Sequence, residues 1–290
     1  MTYEKAGKIA AETLQYGKRL IKVGTPLIEV TSKVEEKIAA LKGKTAFPPQ
    51  ISINNIAAHY CPDKNEDTVF KESDLVKLDL GVHIDGHIAD NALTVNLGDD
   101  KNLEIIKASK DALKEALTLF KPGTKMNEIG KAIEEVIVGY GFNPIKNLSG
   151  HEVKPYDLHA GLTVPNFDNK DETKLKENQV FAVEPFATTG DGYVKDGKKS
   201  GIYGLTQVRN VRSGREVLKF IVDNFRTLPF HRKYIVEKFG DFKASFGLRM
   251  LEKEEILHHY PQLVERSNGL VSQAEHTVIV KDKPKITTKI

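Results

Sequence analysis

The chain has 290 residues, of which 40% are apolar and 29% are charged, as in ordinary globular proteins with a sizeable core. Its net charge of +3 is too small to indicate a DNA or membrane partner by itself. The single cysteine, Cys61, excludes an intrachain disulfide framework and a multi-cysteine zinc site. No apolar run approaches the roughly 18 residues that span a bilayer, and no signal-peptide stretch opens the chain, so we expect a cytoplasmic protein.

Two similar amphipathic segments occur 99 residues apart. Apolar residues at positions 27, 30, 34, 38 and 41 have the spacing of one helix face, and they recur at 126, 129, 133, 137 and 140. Each segment follows a Gly-Thr pair, whose Thr25 or Thr124 we predict to be the N-cap, with Pro26 at the first helical position. A further amphipathic stretch precedes each segment, near 3–22 and 102–121. The repeat predicts two related halves, each a helix pair followed by strands, in one α+β domain over 1–290.

A β-hairpin is predicted after the first helix pair. Apolar runs at 75–84 and 87–95 flank Asp85-Gly86, which is a strong hairpin signal. With a two-residue turn, Asp79 and Asp90 share one face of the hairpin as diagonal neighbours, roughly 7–8 Å apart at Cα. Two adjacent carboxylates repel unless they are protonated or neutralised by cations. A solvated hairpin face with two aspartates of no special role is the alternative interpretation.

The second half contains further strands and a helical insertion. We predict strands near 179–189, 202–212, 269–280 and 285–290, and a helical stretch over 213–260. Because this stretch interrupts the strands of the second half, we expect an inserted helical subdomain at approximately 194–260.

Two glutamates in the second half lie in strand-like apolar runs, where core packing would favour valine or isoleucine. These are Glu184 and Glu275, and His151 follows a Ser-Gly turn signal. Four carboxylates and one imidazole suit a pair of divalent ions with mostly oxygen ligands. Such a pair can bridge a water molecule, lower its pKa and polarise a carbonyl.

The chain resembles the type II methionine aminopeptidases, of the short archaeal kind, over nearly its whole length. The resemblance rests on segments 46–48, 52–60, 77–86, 88–90, 147–151, 158–161, 181–186 and 273–277. It implies the pita-bread fold of the creatinase/aminopeptidase metallopeptidases, with pseudo-twofold duplicated halves and an inserted helical subdomain between Glu184 and Glu275.

The resemblance also implies a set of site residues. The metal ligands would be Asp79 on one ion, His151 and Glu184 on the other, and Asp90 and Glu275 bridging both. The ions would be Co, Mn, Fe or Zn. His59 and His159 would bind the substrate's peptide group and assist proton transfer, and Glu184 would carry the proton to the leaving amine. Phe47, Leu158 and Tyr260 would line the pocket for the methionine side chain, although core packing is a competing interpretation of these three.

The implied activity is removal of the N-terminal initiator methionine from peptides and nascent chains with a small second residue. A hydroxide that bridges the two metals would attack the first peptide carbonyl. Lys195 departs from the eukaryotic pattern, in which a histidine near the pocket is usual. Two alternatives share the fold: an Xaa-Pro aminopeptidase or prolidase, and a non-catalytic pita-bread binding module.

The remaining expectations concern partners. Most members of the resembled family are monomers, so we expect a monomer. Two basic clusters, at 195–199 and 281–289, are candidate contacts to ribosomal RNA near a nascent-chain exit.

Overall fold

Two helix pairs dominate the computed structural model, which describes residues 2–98 and 100–289. Within this part of the chain a single 3₁₀ turn, Asp100–Asn102, precedes the second pair. The helices of the two pairs are α1 (Thr2–Leu20), α2 (Leu27–Ala40), α3 (Leu103–Thr118) and α4 (Met126–Gly139). Helices α2 and α4 begin and end 99 residues apart, as the sequence repeat predicts.

The repeat extends to the backbone hydrogen bonds at the start of α2 and α4. The amide of Gly24 donates to the Phe70 carbonyl, the Leu27 amide to Thr68, and the Phe70 amide to Thr25. Segments 123–126 and 173–175 form the same three bonds in the second half. These bonds hold the chain extended through residue 26 or 125, so the predicted threonine N-caps are wrong. Pro26 and Lys125 occupy the N-cap positions instead.

Each helix pair covers its own apolar core. In α2 the residues at 27, 30, 34 and 38 are buried in one cluster with α1 and the strands of the first half. In α4 the equivalent residues at 126, 129, 133 and 137 are buried in a second cluster with α3. The 3.6-residue periodicity of the sequence therefore identified the two buried helix faces correctly.

The strands form four small sheets. Their orders are β1-β3-β4, β11-β10-β12-β2, β13-β9-β5 and β15-β14-β8-β6-β7. The strands are β1 (Lys44–Ile53), β2 (Ile56–Ala58), β3 (Leu75–Ile84), β4 (His87–Asn96), β5 (Asn143–Pro144), β6 (Ser149–Glu152), β7 (Thr163–Pro165), β8 (Val180–Val183), β9 (Phe186–Thr188), β10 (Val194–Leu205), β11 (Phe230–His231), β12 (Leu257–Glu265), β13 (Val271–Gln273), β14 (His276–Ile279) and β15 (Lys285–Ile286).

The β3–β4 hairpin has the predicted register. Asp79 pairs with Ala92 and Asp90 pairs with Gly81, so the two carboxylates are diagonal neighbours on one face. The turn residues 85 and 86 both have positive φ, 48° and 84°, as a type I′ turn requires.

Hydrogen bonds join β4 of the first half to the last strands of the second half. The Thr277 hydroxyl accepts from the Asp90 amide at 2.7 Å and donates to the Asp90 carbonyl at 2.9 Å. The Glu275 amide donates to the Ala92 carbonyl, and the Thr94 hydroxyl bonds to the backbone of Gln273. We call this junction of 90–94 with 273–277 the seam.

Three helices and three strands fill the interval between residues 194 and 265. The helices are α5 (Arg215–Phe225), α6 (Arg232–Phe239) and α7 (Asp241–Lys253), and they share a separate apolar cluster. The predicted strand at 202–212 is displaced toward the N-terminus, since β10 runs from Val194 to Leu205. Its beginning was not predicted, because Val194 is followed by five exposed residues that carry no apolar pattern. Residues 257–260, expected to be helical, belong to β12. An independent subdomain at 194–260 stays a prediction.

The C-terminal strands are shorter than predicted. The stretch 269–280 divides into β13 and β14, with Ala274 and Glu275 between them, and 179–189 divides in the same way around Glu184. The predicted strand at 285–290 is limited to β15, and residue 290 lies outside the described part of the chain. None of the helices in 2–98 and 100–289 combines the length and apolar character that a membrane span needs.

Candidate metal centre

Five side chains from five different places in the fold converge near the seam. Asp79 lies on β3, Asp90 on β4 and His151 on β6, whereas Glu184 directly follows β8 and Glu275 lies between β13 and β14. The two glutamates occupy strand ends, where backbone pairing stops. Because the pairing stops there, each glutamate side chain can turn toward the carboxylate cluster although its sequence neighbours are apolar.

The convergence is close. Single ligand atoms of Asp90, His151 and Glu275 all lie within 4.8 Å of one another. The His151 Nε2 atom is 3.7 Å from an Asp90 oxygen and 3.6 Å from a Glu184 oxygen. The fifth residue, Asp79, reaches the cluster through Gln273, described next. The roles of the five as metal ligands stay a prediction.

Gln273 is a site residue that the sequence analysis did not identify. Its side-chain amide donates to Asp79 at 3.3 Å and to Glu184 at 3.2 Å, and so holds two carboxylates in place. Gln273 is two residues before Glu275, and the period of a strand would have placed both on one face. This two-residue spacing from Glu275 was the sequence signal that could have identified Gln273.

The carboxylates are buried without enough partners. One oxygen of Asp79, one of Asp90 and both of Glu275 lack a hydrogen-bond partner among the described residues. Burial raises the pKa of Asp79 to about 7. Burial and the neighbouring carboxylates raise the pKa of Asp90, Glu184 and Glu275 well above the usual range. Burial lowers the pKa of His151 to about 3, so its imidazole is neutral and can act as a ligand.

This donor set fits divalent cations. Unpartnered buried carboxylate oxygens are costly unless a positive charge compensates them, and no lysine or arginine is paired with these four among the described residues. Oxygen-rich ligation with one neutral imidazole is the chemistry that Mn, Fe, Co and Zn accept. The residues therefore fit the metal that the sequence analysis predicts.

Nine of the ten predicted site residues line one cavity of about 270 Å³, beside the carboxylate cluster. The tenth, Glu275, is only 1% exposed, and one of its carboxylate oxygens lies within 4.8 Å of ligand atoms of Asp90 and His151. The cavity also has an apolar wall, to which Phe47, Leu158 and Tyr260 contribute. That this wall holds a methionine side chain stays a prediction. Side chains near the insertion, including Ile202, Pro229 and Leu263, complete the wall and were not predicted.

His59 is held in one orientation and one tautomer. It follows β2 with a positive φ of 64°, which is uncommon for a residue other than glycine. Its amide donates to the Gln50 side chain at 2.7 Å, and its Nδ1 atom is 3.1 Å from the Pro261 carbonyl. Since a carbonyl only accepts, Nδ1 carries the proton. Burial lowers the pKa of His59 to about 4, so at neutral pH Nε2 is an acceptor.

His159 and Lys195 lie in more open surroundings. The His159 ring packs edge-on against His151, with 4.5 Å between centroids, and the residue is exposed at the cavity. Lys195 is exposed on β10 and donates to the Arg266 carbonyl at 3.3 Å. Cys61 is buried, and burial raises the pKa of its thiol to about 12, which fits an inert packing residue.

Comparison with known proteins agrees with the metal chemistry of the site. The model of metallopeptidase family M24 matches residues 2–282. The methionine aminopeptidase of Archaeoglobus fulgidus is 46% identical over 288 residues, which cover 98% of this chain and 97% of the relative. The methionine aminopeptidase of Pyrococcus horikoshii is 44% identical, with 98% of each chain covered.

A solved structure shows the same fold. The crystal structure of methionine aminopeptidase from Thermotoga maritima superposes with a TM-score of 0.73 at 23% identity, and the match covers 99% of this chain and 95% of that one. The predicted pita-bread fold is confirmed.

Proposed function

The chain belongs to metallopeptidase family M24, and from this membership we propose that it removes the N-terminal methionine of peptides whose second residue is small. The single observation that carries the proposal is the convergence of four buried carboxylates and His151 beside an apolar cavity. The relatives that are 46% and 44% identical over nearly their whole length support this substrate.

The five predicted ligands would hold two divalent ions. When bound, such ions supply a water molecule of lowered pKa and a Lewis acid for the peptide carbonyl. Asp79, Asp90 and Glu275 would be ionised in that state, because the positive charge offsets the burial that otherwise favours their protonation.

Glu184 is suited to proton transfer. One of its oxygens accepts from Gln273 and the other lies 3.6 Å from His151, so its position is fixed. In the metal-free protein, burial and the charge of Asp79 raise the pKa of Glu184. A carboxyl group held in this position can take a proton and return it. Glu184 would take the proton of the attacking water and deliver it to the leaving nitrogen as the C–N bond breaks.

The two histidines would bind the peptide group in complementary ways, one as a hydrogen-bond acceptor and the other as a donor. His59, with its proton on Nδ1, can accept the amide hydrogen of the scissile bond at Nε2. His159 is free to donate to the carbonyl oxygen as negative charge develops there. Phe47, Leu158 and Tyr260 would surround the methionine side chain.

The proposal is tested with peptides and mass spectrometry. Protein loaded with Mn²⁺ or Co²⁺ should release methionine from Met-Ala-Ser, but not from Met-Lys-Ser or acetyl-Met-Ala-Ser. A Leu-Pro peptide distinguishes an Xaa-Pro peptidase, which would cleave it. Equal cleavage of Met-Ala-Ser and Met-Lys-Ser, or cleavage of neither by metal-loaded protein, would contradict the proposed activity.

The substrates we propose are nascent chains in the cytoplasm, reached by a monomeric enzyme. Exposed lysines on β10, at 195, 198 and 199, are the candidate ribosome contact. Cosedimentation with large ribosomal subunits should weaken when these three lysines are changed to glutamate. Unchanged cosedimentation would contradict this contact and leave the peptidase proposal intact.

A further inference from the structure

A second cavity, of about 980 Å³, lies between α1 and α3. Its floor is the seam, since residues 91–94 of β4 and 274–276 line it. Side chains alternate along a strand, so Asn91 faces away from the side on which Asp90 joins the candidate metal centre. The two cavities therefore lie on opposite sides of the same strands. We call the larger one the seam cavity.

The walls of the seam cavity are largely apolar. On α1 they include Ala11 and Leu14, and on α3 Leu113 and Leu117, which lie one helical turn apart on a single face. The C-terminal segment 282–289 closes the third side with Pro284 and Ile286. A cavity of this size and apolar character is typical of small-molecule sites.

Six lysines surround these apolar walls. They are Lys18, Lys110, Lys114, Lys121, Lys283 and Lys289. None of them forms an ion pair with a carboxylate of the described residues, although other lysines such as Lys33, Lys107 and Lys125 do. Asp282 is the exposed acidic residue among those that line the cavity. Burial, followed by the charge of Lys18, lowers the pKa of Lys110, so these two ammonium groups repel each other.

The floor carries an unpartnered polar group. Asn91 is 2% exposed, and its side-chain oxygen has no hydrogen-bond partner among the described residues. A buried amide without a partner is costly, so this group in the cavity floor is a second indication of a polar ligand.

We propose that the seam cavity binds a small amphipathic anion, with its apolar body between α1 and α3 and a phosphate-type head among the lysines. The anion neutralises a group of like charges that form no ion pairs within the described chain. Its apolar part covers the leucine surface, and a hydroxyl or amide of the ligand satisfies Asn91. Glu275, a predicted metal ligand, is among the residues that line this cavity, but the binding proposed here does not depend on the peptidase activity.

The proposal is tested by calorimetry with decyl phosphate, kept below its micellar concentration. The metal-loaded protein should bind one equivalent. Inorganic phosphate, which lacks the apolar body, and decyltrimethylammonium, which has the opposite charge, should each bind at least tenfold more weakly. Equal binding of decyl phosphate and decyltrimethylammonium would overturn the proposal, because the lysines would then have no role.

A pair of charge-matched variants locates the site. The double variant Lys110→Glu, Lys114→Glu should bind decyl phosphate at least tenfold more weakly. Lys107→Glu with Lys131→Glu places the same charge change on α3 and α4 away from the cavity and should change the affinity less than twofold. An equal loss in both double variants would overturn the proposed site. Neither variant touches the candidate metal centre.

Hydrogen exchange provides a readout that needs no activity and also reports folding. Decyl phosphate should slow exchange in 91–97 and 282–289 of the unmodified protein, and not in the Lys110→Glu, Lys114→Glu variant. Protection elsewhere with no change in these segments would overturn the proposal. Binding to phosphatidic acid vesicles but not to monomeric decyl phosphate would overturn it as well, because a membrane surface would then be the partner.

Discussion

The buried carboxylate of Asp79 makes the metal-free protein sensitive to pH. Its pKa is about 7 in the folded chain, against an ordinary value of 3.8. The folded state therefore holds a proton that the unfolded state has lost between these two values. By linkage, ionisation of Asp79 lowers the free energy of unfolding as the pH rises from about 4 to about 7. The loss reaches its full size above that range.

The variant Asp79→Asn removes this cost. In metal-free protein, its stability relative to the unmodified chain should increase from pH 5 to pH 7 and level off above about 7.5. The gain should reach a few kcal/mol, since one pKa unit corresponds to about 1.4 kcal/mol. Urea unfolding after chelation measures the difference. Divalent metal should stabilise the unmodified protein and have much less effect on the variant.

The control for this prediction is Asp223→Asn, an exposed carboxylate on α5 that is far from the site. Its effect should not vary with pH over the same range. If the difference in unfolding free energy between Asp79→Asn and the unmodified chain did not vary with pH, the predicted cost of ionising Asp79 in the metal-free protein would be contradicted.

Gly81 determines the position of Phe47 in the cavity wall. A Cβ atom at residue 81 would lie 2.3 Å from the Phe47 ring, closer than any normal contact. We predict that Gly81→Ala displaces this ring, because the overpacked position cannot hold both groups. The displaced wall should misplace the substrate and lower kcat/KM for Met-Ala-Ser by about tenfold or more. Metal affinity should be retained.

The matched control is Gly139→Ala, at the end of α4, where nothing lies within 4 Å of the new atom. It should leave kcat/KM unchanged. If Gly81→Ala retained full activity, Phe47 would not be part of the substrate pocket.

At the residue scale, sequence reasoning identified acidic residues by their unfavourable context. Asp79, Asp90, Glu184 and Glu275 all interrupt apolar strand patterns, and this is visible without coordinates. Gln273 was missed because a glutamine is neutral and raises no such conflict. The orientation of His59 could not be predicted either, since its Nδ1 partner, the Pro261 carbonyl, is 202 residues away.

At the element scale, local patterns predicted the helix pairs and the β3–β4 hairpin well. Their signals, a helical period and a two-residue turn, lie within a few consecutive residues. Strand β1 was missed because Pro48 and Pro49 lie inside it, at a point where the pairing with β3 shifts register. Residues 257–260 of β12 were predicted as helix, because the pairing of this strand with β10 is distant in sequence.

A second pH-sensitive group, whose effect on stability has the opposite pH dependence to that of Asp79, lies at the start of helix α6. His231 is its N-cap, and the His231 ring accepts from the Lys233 amide at 3.2 Å. Burial lowers the pKa of His231 from 6.5 to about 4. The unfolded state therefore binds more protons in this interval, and the stability contributed by His231 is lost as the pH falls from about 6.5 to about 4.

We predict that His231→Asn keeps the cap, because asparagine is a favoured N-cap residue, and removes this pH dependence. The unfolding free energy of the variant should fall less steeply than that of the unmodified protein between pH 6.5 and 4.5. Near pH 7.5 the variant should be less stable by about 1–3 kcal/mol, because the smaller side chain leaves space at a fully buried position. Identical slopes in urea titrations would contradict the prediction.

At the scale of the whole molecule, the seam joins the two halves and supports both cavities. The Thr277 hydroxyl forms two hydrogen bonds with the backbone of Asp90 across this junction. Thr277→Val has nearly the same shape but leaves the Asp90 amide and carbonyl without these partners. We predict a loss of about 1–3 kcal/mol in stability, because buried backbone groups lose their hydrogen bonds.

The same variant should bind divalent metal more weakly, since Asp90 is held less firmly. Thr118→Val, whose exposed hydroxyl bonds within α3, is the control and should change stability by less than about 0.5 kcal/mol. Chemical unfolding and metal titration measure both effects. If Thr277→Val matched the unmodified protein in both measurements, the halves would be held together by packing alone.

The two halves contribute unequal shares to the candidate metal centre. Asp79 and Asp90 belong to the first repeat, whereas His151, Glu184 and Glu275 belong to the second. A polypeptide that stops before residue 275 lacks at least one of the five side chains, however well its own helices fold. We therefore predict that the chain is inactive during synthesis until its last strands have left the ribosome. Proteolysis between the repeats should likewise yield two fragments that are inert unless they reassociate.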